Sequence, residues 1–245
     1  MPAPARPRFR RYPFTVQDAH VVALTLTAGA VDAVSFLGLG HVFSSVLTGN
    51  LVLLGVAAGS SAGALAVSAG TAVAGYCAGV LAGARIAAAG GGGSQAPAGD
   101  PRGAARWPAG VRAALTAELG LLAVFTAAWE LAGAAPRGAA RLIMLALLAA
   151  AMGGQSAAVR RLGQFSTTYL TGTATGVLAG LVTGKRPDGL WRSLATLAAI
   201  AAGAACGGVL AVVAPAWAPA AILIPISAVV TAARPGRLHD DVRLG

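Results

Sequence analysis

The sequence predicts an all-α integral membrane protein. It reads as a two-fold internal repeat of transmembrane helices, with 3+3 inverted spans and one re-entrant or broken helix in each half. Three observations predict this. Only 11% of the 245 residues are charged and 56% are hydrophobic, whereas a soluble domain carries about 25% charged residues. Apolar runs of about 20 residues recur, the length that crosses a hydrocarbon core at about 1.5 Å per residue. A polar pattern in the first half also returns in outline 123 residues later. A membrane β-barrel needs short alternating segments, whereas these runs are continuous and rich in Ala, Leu and Gly.

Residues 1–15, rich in Pro and Arg, read as a basic cytoplasmic arm. The next run resembles the start of a signal peptide, with Ala28-Gly29-Ala30 as a cleavage site. It continues past Asp32 to about Gly40, a spanning length, which argues against cleavage. A short run covers about 42–59, and a small-residue helix covers about 63–89. Gly75, Gly79 and Gly83 share one face of that helix, which lets a neighbouring backbone approach closely. Residues 16–89 form the first membrane repeat. Residues 90–110, with a glycine run and three prolines, read as a flexible linker. Residues 111–233 hold the last span of the first half, about 111–135, and then the second repeat. Its runs lie at about 139–159, 165–183, 190–213 and 217–233. Residues 234–245 form a basic cytoplasmic tail. Trp107, Trp129, Trp191 and Trp217 lie at run ends, where interfacial aromatics belong. Cys77 and Cys206 lie deep in apolar runs and read as small packing residues.

The net charge is +10, carried by Arg apart from the single Lys185. These charges sit between apolar runs and at the chain ends. That distribution fits the positive-inside rule and anionic lipid, and argues against nucleic acid. Eight full spans, four per half, is the alternative topology. It places Arg85, Arg102, Arg106 and Arg112 outside when the N-terminus is inside. With six crossings both termini face the cytoplasm, and only Arg137 and Arg141 fall on the wrong side.

The offset of 123 lays Asp32 over Gln155, Thr48-Gly49 over Thr171-Gly172 and Asn50 over Thr173. After a longer loop, Cys77 falls over Cys206. Inverted repeats place binding sites near the midplane, on interrupted helices. The candidate substrate- or ion-binding residues are therefore Asp32, Ser35, Thr48, Gly49, Asn50, Gln155, Thr171, Gly172 and Thr173. Asp32 inside an apolar run reads as a proton or cation site or a substrate contact. The competing reading makes it a hydrogen-bond anchor for the Thr48-Gly49-Asn50 segment. Those small polar residues can interrupt one helix and cap the next, or simply let two helices touch. Glu118 reads as a structural partner of Arg112 or Arg160, and with Arg160 and Arg161 it is also a secondary candidate for substrate or ion binding. Arg160-Arg161 fix topology, with attraction of an anion at a pore mouth as the other role. Glu130 reads as interfacial, and His41 as a lone histidine at a run end.

No catalytic constellation, phosphate loop, dinucleotide fingerprint or metal-ligand spacing occurs, so the chain reads as a non-enzyme without metal or cofactor.

Two stretches carry a family resemblance: Gly29-Ala30-Val31-Asp32-Ala33-Val34-Ser35-Phe36-Leu37 with Val42-Phe43 and Thr48-Gly49-Asn50, and Gly153 to Arg161 with Thr167 to Thr173. They resemble the two signatures of the YoaK family of bacterial inner-membrane proteins. Ser156 stands where the second signature carries Asn. The resemblance implies a multi-pass plasma-membrane protein and supplies no activity. The expected function is a transporter-like or channel-like protein with a polar midplane site between two repeats. The alternative is a non-transporting scaffold or accessory protein whose polar motifs are packing joints. Expected partners are the lipid bilayer, a small-molecule or ion substrate and a second copy of the chain in a homo-oligomer.

Overall fold

The computed structural model describes residues 14–90, 106–162, 170–183 and 190–235. The arm before residue 14, most of the 90–110 linker and most of the 234–245 tail lie outside the described residues. Among the described residues, eight α-helices run in the order α1 (Val16–Gly38), α2 (Leu47–Ser60), α3 (Gly63–Ala89), α4 (Ala109–Leu131), α5 (Gly138–Arg161), α6 (Leu170–Val182), α7 (Leu190–Val213) and α8 (Ala218–Ala232). A short 3-10 turn, Pro215–Trp217, leads into α8. Two-residue segments β1 (Arg106–Trp107) and β2 (Arg234–Pro235) pair in parallel.

Among the described residues, six segments are long and apolar enough to cross a membrane: α1, α3, α4, α5, α7 and Pro215–Ala232. Helix α2 has 14 residues, too few to span, and the described part of α6 has 13. Contacts at the two ends of the bundle fix the helix directions. At the end where α1 starts, Asp18 pairs with Arg192, His20 meets Trp107, Gly90 lies against Gly110, and β1 pairs with β2. At the end where α1 finishes, the Trp129 ring covers Gly38, Ser68 lies against Gly40, and the Trp129 indole donates to the Pro215 carbonyl. Helices α1, α4 and α7 therefore run one way, and α3, α5 and α8 run the other. Helix α2 begins and ends on the side where α1 finishes. Helix α6 sits between an arriving α5 and a departing α7 on the opposite side. Among the described residues the six long helices thus alternate in direction, and the three of the second half point opposite to those of the first.

Glycine explains how the long helices pack. On α3, an added Cβ at Gly79 would strike the Ala150 carbonyl and one at Gly83 would meet Gly154 of α5. On α7, Gly203 lies in the same way against Leu26 and Gly207 against Ala30 of α1. Adding 124 to Gly79 gives Gly203, and subtracting 124 from Ala150 gives Leu26. The reverse contacts obey the same register: Gly153 on Tyr76 and Val80, Gly29 on Ile200 and Ala204. Small residues here let whole backbones touch, and they do so twice around one approximate two-fold relation.

That packing corrects two sequence alignments. Asp32 corresponds to Ser156, one residue beyond Gln155. Cys77 corresponds to Ala201 and not to Cys206. Both cysteines are exposed on the helix surface, so neither is a packing residue. Trp107 and Trp129 are buried in the core, and only Trp191 and Trp217 sit exposed at helix ends. The core itself lies between α1, α4, α5 and α8, filled by Leu24, Leu115, Leu122, Phe125, Leu148, Met152, Ile222 and Ile226.

Candidate functional site

Helix α1 cannot continue through Gly40 and His41, which take φ of +119° and +59°. The Ser68 hydroxyl also leaves no room for a Cβ at Gly40, so this position requires glycine. The chain turns back, and residues 42–46, which the apolar pattern reads as helix, are non-helical. Their backbone groups need partners at this depth. Asp32 supplies them. Its Oδ1 accepts from the Ser44 N–H at 2.9 Å and the Ser45 N–H at 2.8 Å, and its Oδ2 accepts from Ser45 Oγ at 2.6 Å. The Ser35 hydroxyl donates to the Val42 carbonyl at 3.0 Å. Asn50, in the first turn of α2, clasps Phe43 from the other side. Its Oδ1 accepts from the Phe43 N–H at 3.0 Å, and its Nδ2 donates to the Phe43 carbonyl at 2.5 Å. Asp32, Ser35, Ser44, Ser45 and Asn50 are all buried. Phe36 stacks on Phe43 with ring centroids 5.3 Å apart.

The result is a polar knot that pins the α1–α2 hairpin about 9 Å inside the end of α1, since Asp32 stands six residues before Gly38. Thr48 is exposed and takes no part. Gly49 packs against Val46 and Phe43. The cap of α2 is Val46, without a side-chain bond, so the Thr48-Gly49-Asn50 motif works by reaching back to Phe43 and not by capping.

The second copy is built differently. Gln155 donates from Nε2 to the Leu24 carbonyl at 3.2 Å. Leu24 is eight residues from Asp32 on α1, about 12 Å along the axis. Gln155 stands six residues before Arg161, as Asp32 stands six before Gly38, but on a helix of opposite direction. The two therefore lie toward opposite ends, and Asp32, Asn50 and Gln155 do not share one midplane site. Ser156, the positional counterpart of Asp32, accepts from the Tyr76 hydroxyl at 2.9 Å. Gly172 is exposed, with nothing near the place of a Cβ. Thr171 and Thr173 lie in the first turn of α6, and their side chains lie outside the described residues.

Glu118 differs most from its sequence reading. It is 1% exposed and pairs with neither Arg112 nor Arg160; both carboxyl oxygens lack a hydrogen-bond partner among the described residues. Arg112 is six residues away, about 240° around the helix, so the two cannot face each other. Arg160 and Arg161 are exposed in the last turn of α5, where cations complement the helix dipole. Glu130 is exposed, and His41 is exposed with its ring edge toward Phe36. The sequence reading missed Asp18. It forms a capping box with Thr15 and an ion pair with Arg192 at 2.5 Å, tying the start of α1 to the start of α7. The Thr-x-x-Asp spacing signals the cap, but nothing local signals the Arg192 pair. Among the described residues, no group of three His, Cys, Asp or Glu side chains could hold a metal.

Comparison with known proteins agrees with this architecture. The family profile described as "Protein of unknown function (DUF1275)" matches residues 20–232. The chain is 36% identical over 157 residues to the UPF0700 transmembrane protein YoaK of Bacillus subtilis (strain 168). That match covers 63% of this chain and 63% of the relative, so the chain spans somewhat less than two thirds of that protein. No solved structure matches. The chain is a multi-pass membrane protein, and it belongs to the DUF1275 family.

Proposed function

We propose that the chain is a non-enzymatic membrane carrier that moves a small molecule or ion by relative motion of its two repeats. One observation carries this reading. The α1–α7 and α3–α5 crossings are the same contact made twice in opposed directions, with a short helix entering from each side. Inverted repeats of this kind suit alternating access, because exchanging the conformations of the two halves exchanges the two faces. The orientation follows from charge. Arg85, Arg112, Arg160, Arg161 and Arg192 gather at the end that holds the start of α1 and the end of α8, against Arg137 and Arg141 at the other. Both termini then face the cytoplasm, across a bacterial plasma membrane.

The test is solute uptake into proteoliposomes over a panel of metabolites and ions, against protein-free liposomes. Uptake above background supports the carrier; none across the panel argues against it. The Asp32→Asn variant retains uptake on this reading, because Asp32 holds the hairpin together and does not touch the solute.

A second reading, a non-transporting membrane scaffold, draws on the same knot. The polar groups of Asp32 and Asn50 are bonded within their own hairpin, which suits a structural joint.

A further inference from the structure

We propose that Glu118, together with the side-chain carbonyl of Gln155, forms a binding site for a monovalent cation, H+ or Na+, inside the membrane-spanning core. Glu118 sits on the buried stripe of α4, between Leu115 and Leu122, nine residues from the start of the helix. That is about 13 Å into the bundle. Two independent counts place Gln155 about 6–8 Å from the same level along the bundle axis. Helices α4 and α5 are antiparallel across the 132–137 connection. Glu118, 13 residues before Leu131, therefore lies level with Ala151, 13 residues after Gly138. On the other side, Gly110 lies against Ala87, which puts Glu118 level with Gly79; Gly79 in turn lies against Ala150.

Both carboxyl oxygens of Glu118, and Oε1 of Gln155 about 6–8 Å further along the bundle axis, are buried without a donor among the described residues. An ionised carboxylate without partners costs several kcal/mol at such depth, so an intramembrane acid held this way marks a site. Acceptors without donors call for a cation. A proton turns one carboxyl oxygen into a donor, and a bare sodium ion is held by the oxygens directly.

The surrounding charges do not fill this role. On α3, Arg85 and Cys77 are exposed, and the Tyr76 hydroxyl is committed to Ser156. On α5, Arg160 and Arg161 are exposed at one end of the bundle, and Arg141 lies at the other, beside Gly40. Helix α8 carries no titratable group, and on α4 Glu130 is exposed while Arg112, whose Nε is buried without a partner among the described residues, makes no bond to Glu118. On α1, His20 meets Trp107 near one end, and Asp32 is bound in its knot toward the other. As the group that couples a cation to solute movement, Glu118 rests on the carrier reading; as a binding site it does not.

The experiment is labelling of the full-length protein in detergent with N,N′-dicyclohexylcarbodiimide, read by peptide mass spectrometry. The acid proton moves to a carbodiimide nitrogen and the carboxylate oxygen adds to the central carbon, with no leaving group. Glu118 is expected to label, and Glu118→Gln to abolish that label while the protein stays monodisperse. For a proton site, labelling slows by up to about tenfold per pH unit on the alkaline side, with no effect of NaCl. For a sodium site, NaCl protects where choline chloride at equal ionic strength does not. Absence of label at Glu118, or labelling indifferent to both pH and sodium, overturns the proposal. Label without solute uptake upholds the site and counts against the carrier; uptake without label overturns the site and leaves the carrier standing.

Discussion

Replacing Asp32 by alanine removes the acceptor for the backbone donors of two buried residues. The Ser44 and Ser45 N–H groups both bond Oδ1, in a segment with no helical partner of its own. Each buried donor left unsatisfied costs about 1–3 kcal/mol, so the pair costs about 2–6 kcal/mol. The Ser45 hydroxyl can rotate and adds little. Asparagine keeps Oδ1 for both N–H groups, and its Nδ2 donates to Ser45 Oγ where Oδ2 accepted. That variant loses only the charge-assisted component, about 1 kcal/mol. For a chain of this size about 1 kcal/mol moves the melting midpoint by about 2–4 °C. Asp32→Ala should therefore melt roughly 4–24 °C lower, and Asp32→Asn only about 2–4 °C lower. Thermal challenge in detergent followed by size-exclusion chromatography measures both. Equal losses in the two variants would refute the reasoning, because the charge and not the acceptor geometry would then be what the fold needs. A loss under about 1 kcal/mol for alanine would refute it too, since the hairpin would have found other partners.

The two-fold packing makes a matched prediction: Gly79→Ala and Gly203→Ala should each lower stability by about 1–3 kcal/mol, because each new methyl strikes a backbone carbonyl. Gly55→Ala and Gly120→Ala, with open space at the Cβ, should be neutral or stabilising by up to about 1 kcal/mol, by the same melting assay. Topology gives the third: in a background lacking Cys77 and Cys206, His41→Cys and Ala62→Cys should react with a membrane-impermeant thiol reagent from one side of the membrane, and Asp100→Cys from the other. Labelling of His41→Cys and Ala62→Cys from opposite sides would mean that α2 crosses.

Much of the fold is legible because hydropathy reports span length directly. Helices α3 and α7 fall on their apolar runs to the residue. What hydropathy cannot report is which face of a helix meets protein. In α3 and α7, Ala, Gly, Leu and Val occur all round, so Cys77 and Cys206 look buried in sequence and are exposed in the bundle. The same uniformity blurs the repeat register, which matching letters set at 123 and backbone contacts set at 124. Asp32 was readable as a carboxylate in need of donors. Its donors were not, because Val42 to Val46 looks like the start of a helix. Only the positive φ at Gly40 and His41 forces that segment back over α1. The pairing of Glu118 with Arg112 fails because six residues is near in the chain and far around the helix.

The two halves share their shape more closely than their chemistry. The positions that repeat at 124 are those where backbones touch: Gly29 with Gly153, Gly79 with Gly203, Gly83 with Gly207. A larger residue at any of them would separate two helices, so the fold itself demands the copy. The polar positions obey no such demand. Asp32 is matched by Ser156 and Ser35 by Val159, so the second half lacks the acceptor that ties residues 42–45 to α1 in the first. Packing symmetry therefore fixes how the halves can sit against each other, while the polar groups differ between them. In the first half they close a hairpin on itself. In the second half, and in the α4 core beside it, Gln155 and Glu118 keep acceptors that no donor fills among the described residues. A site for something outside the chain belongs where partners are missing, which moves attention from the saturated Asp32 knot to Glu118.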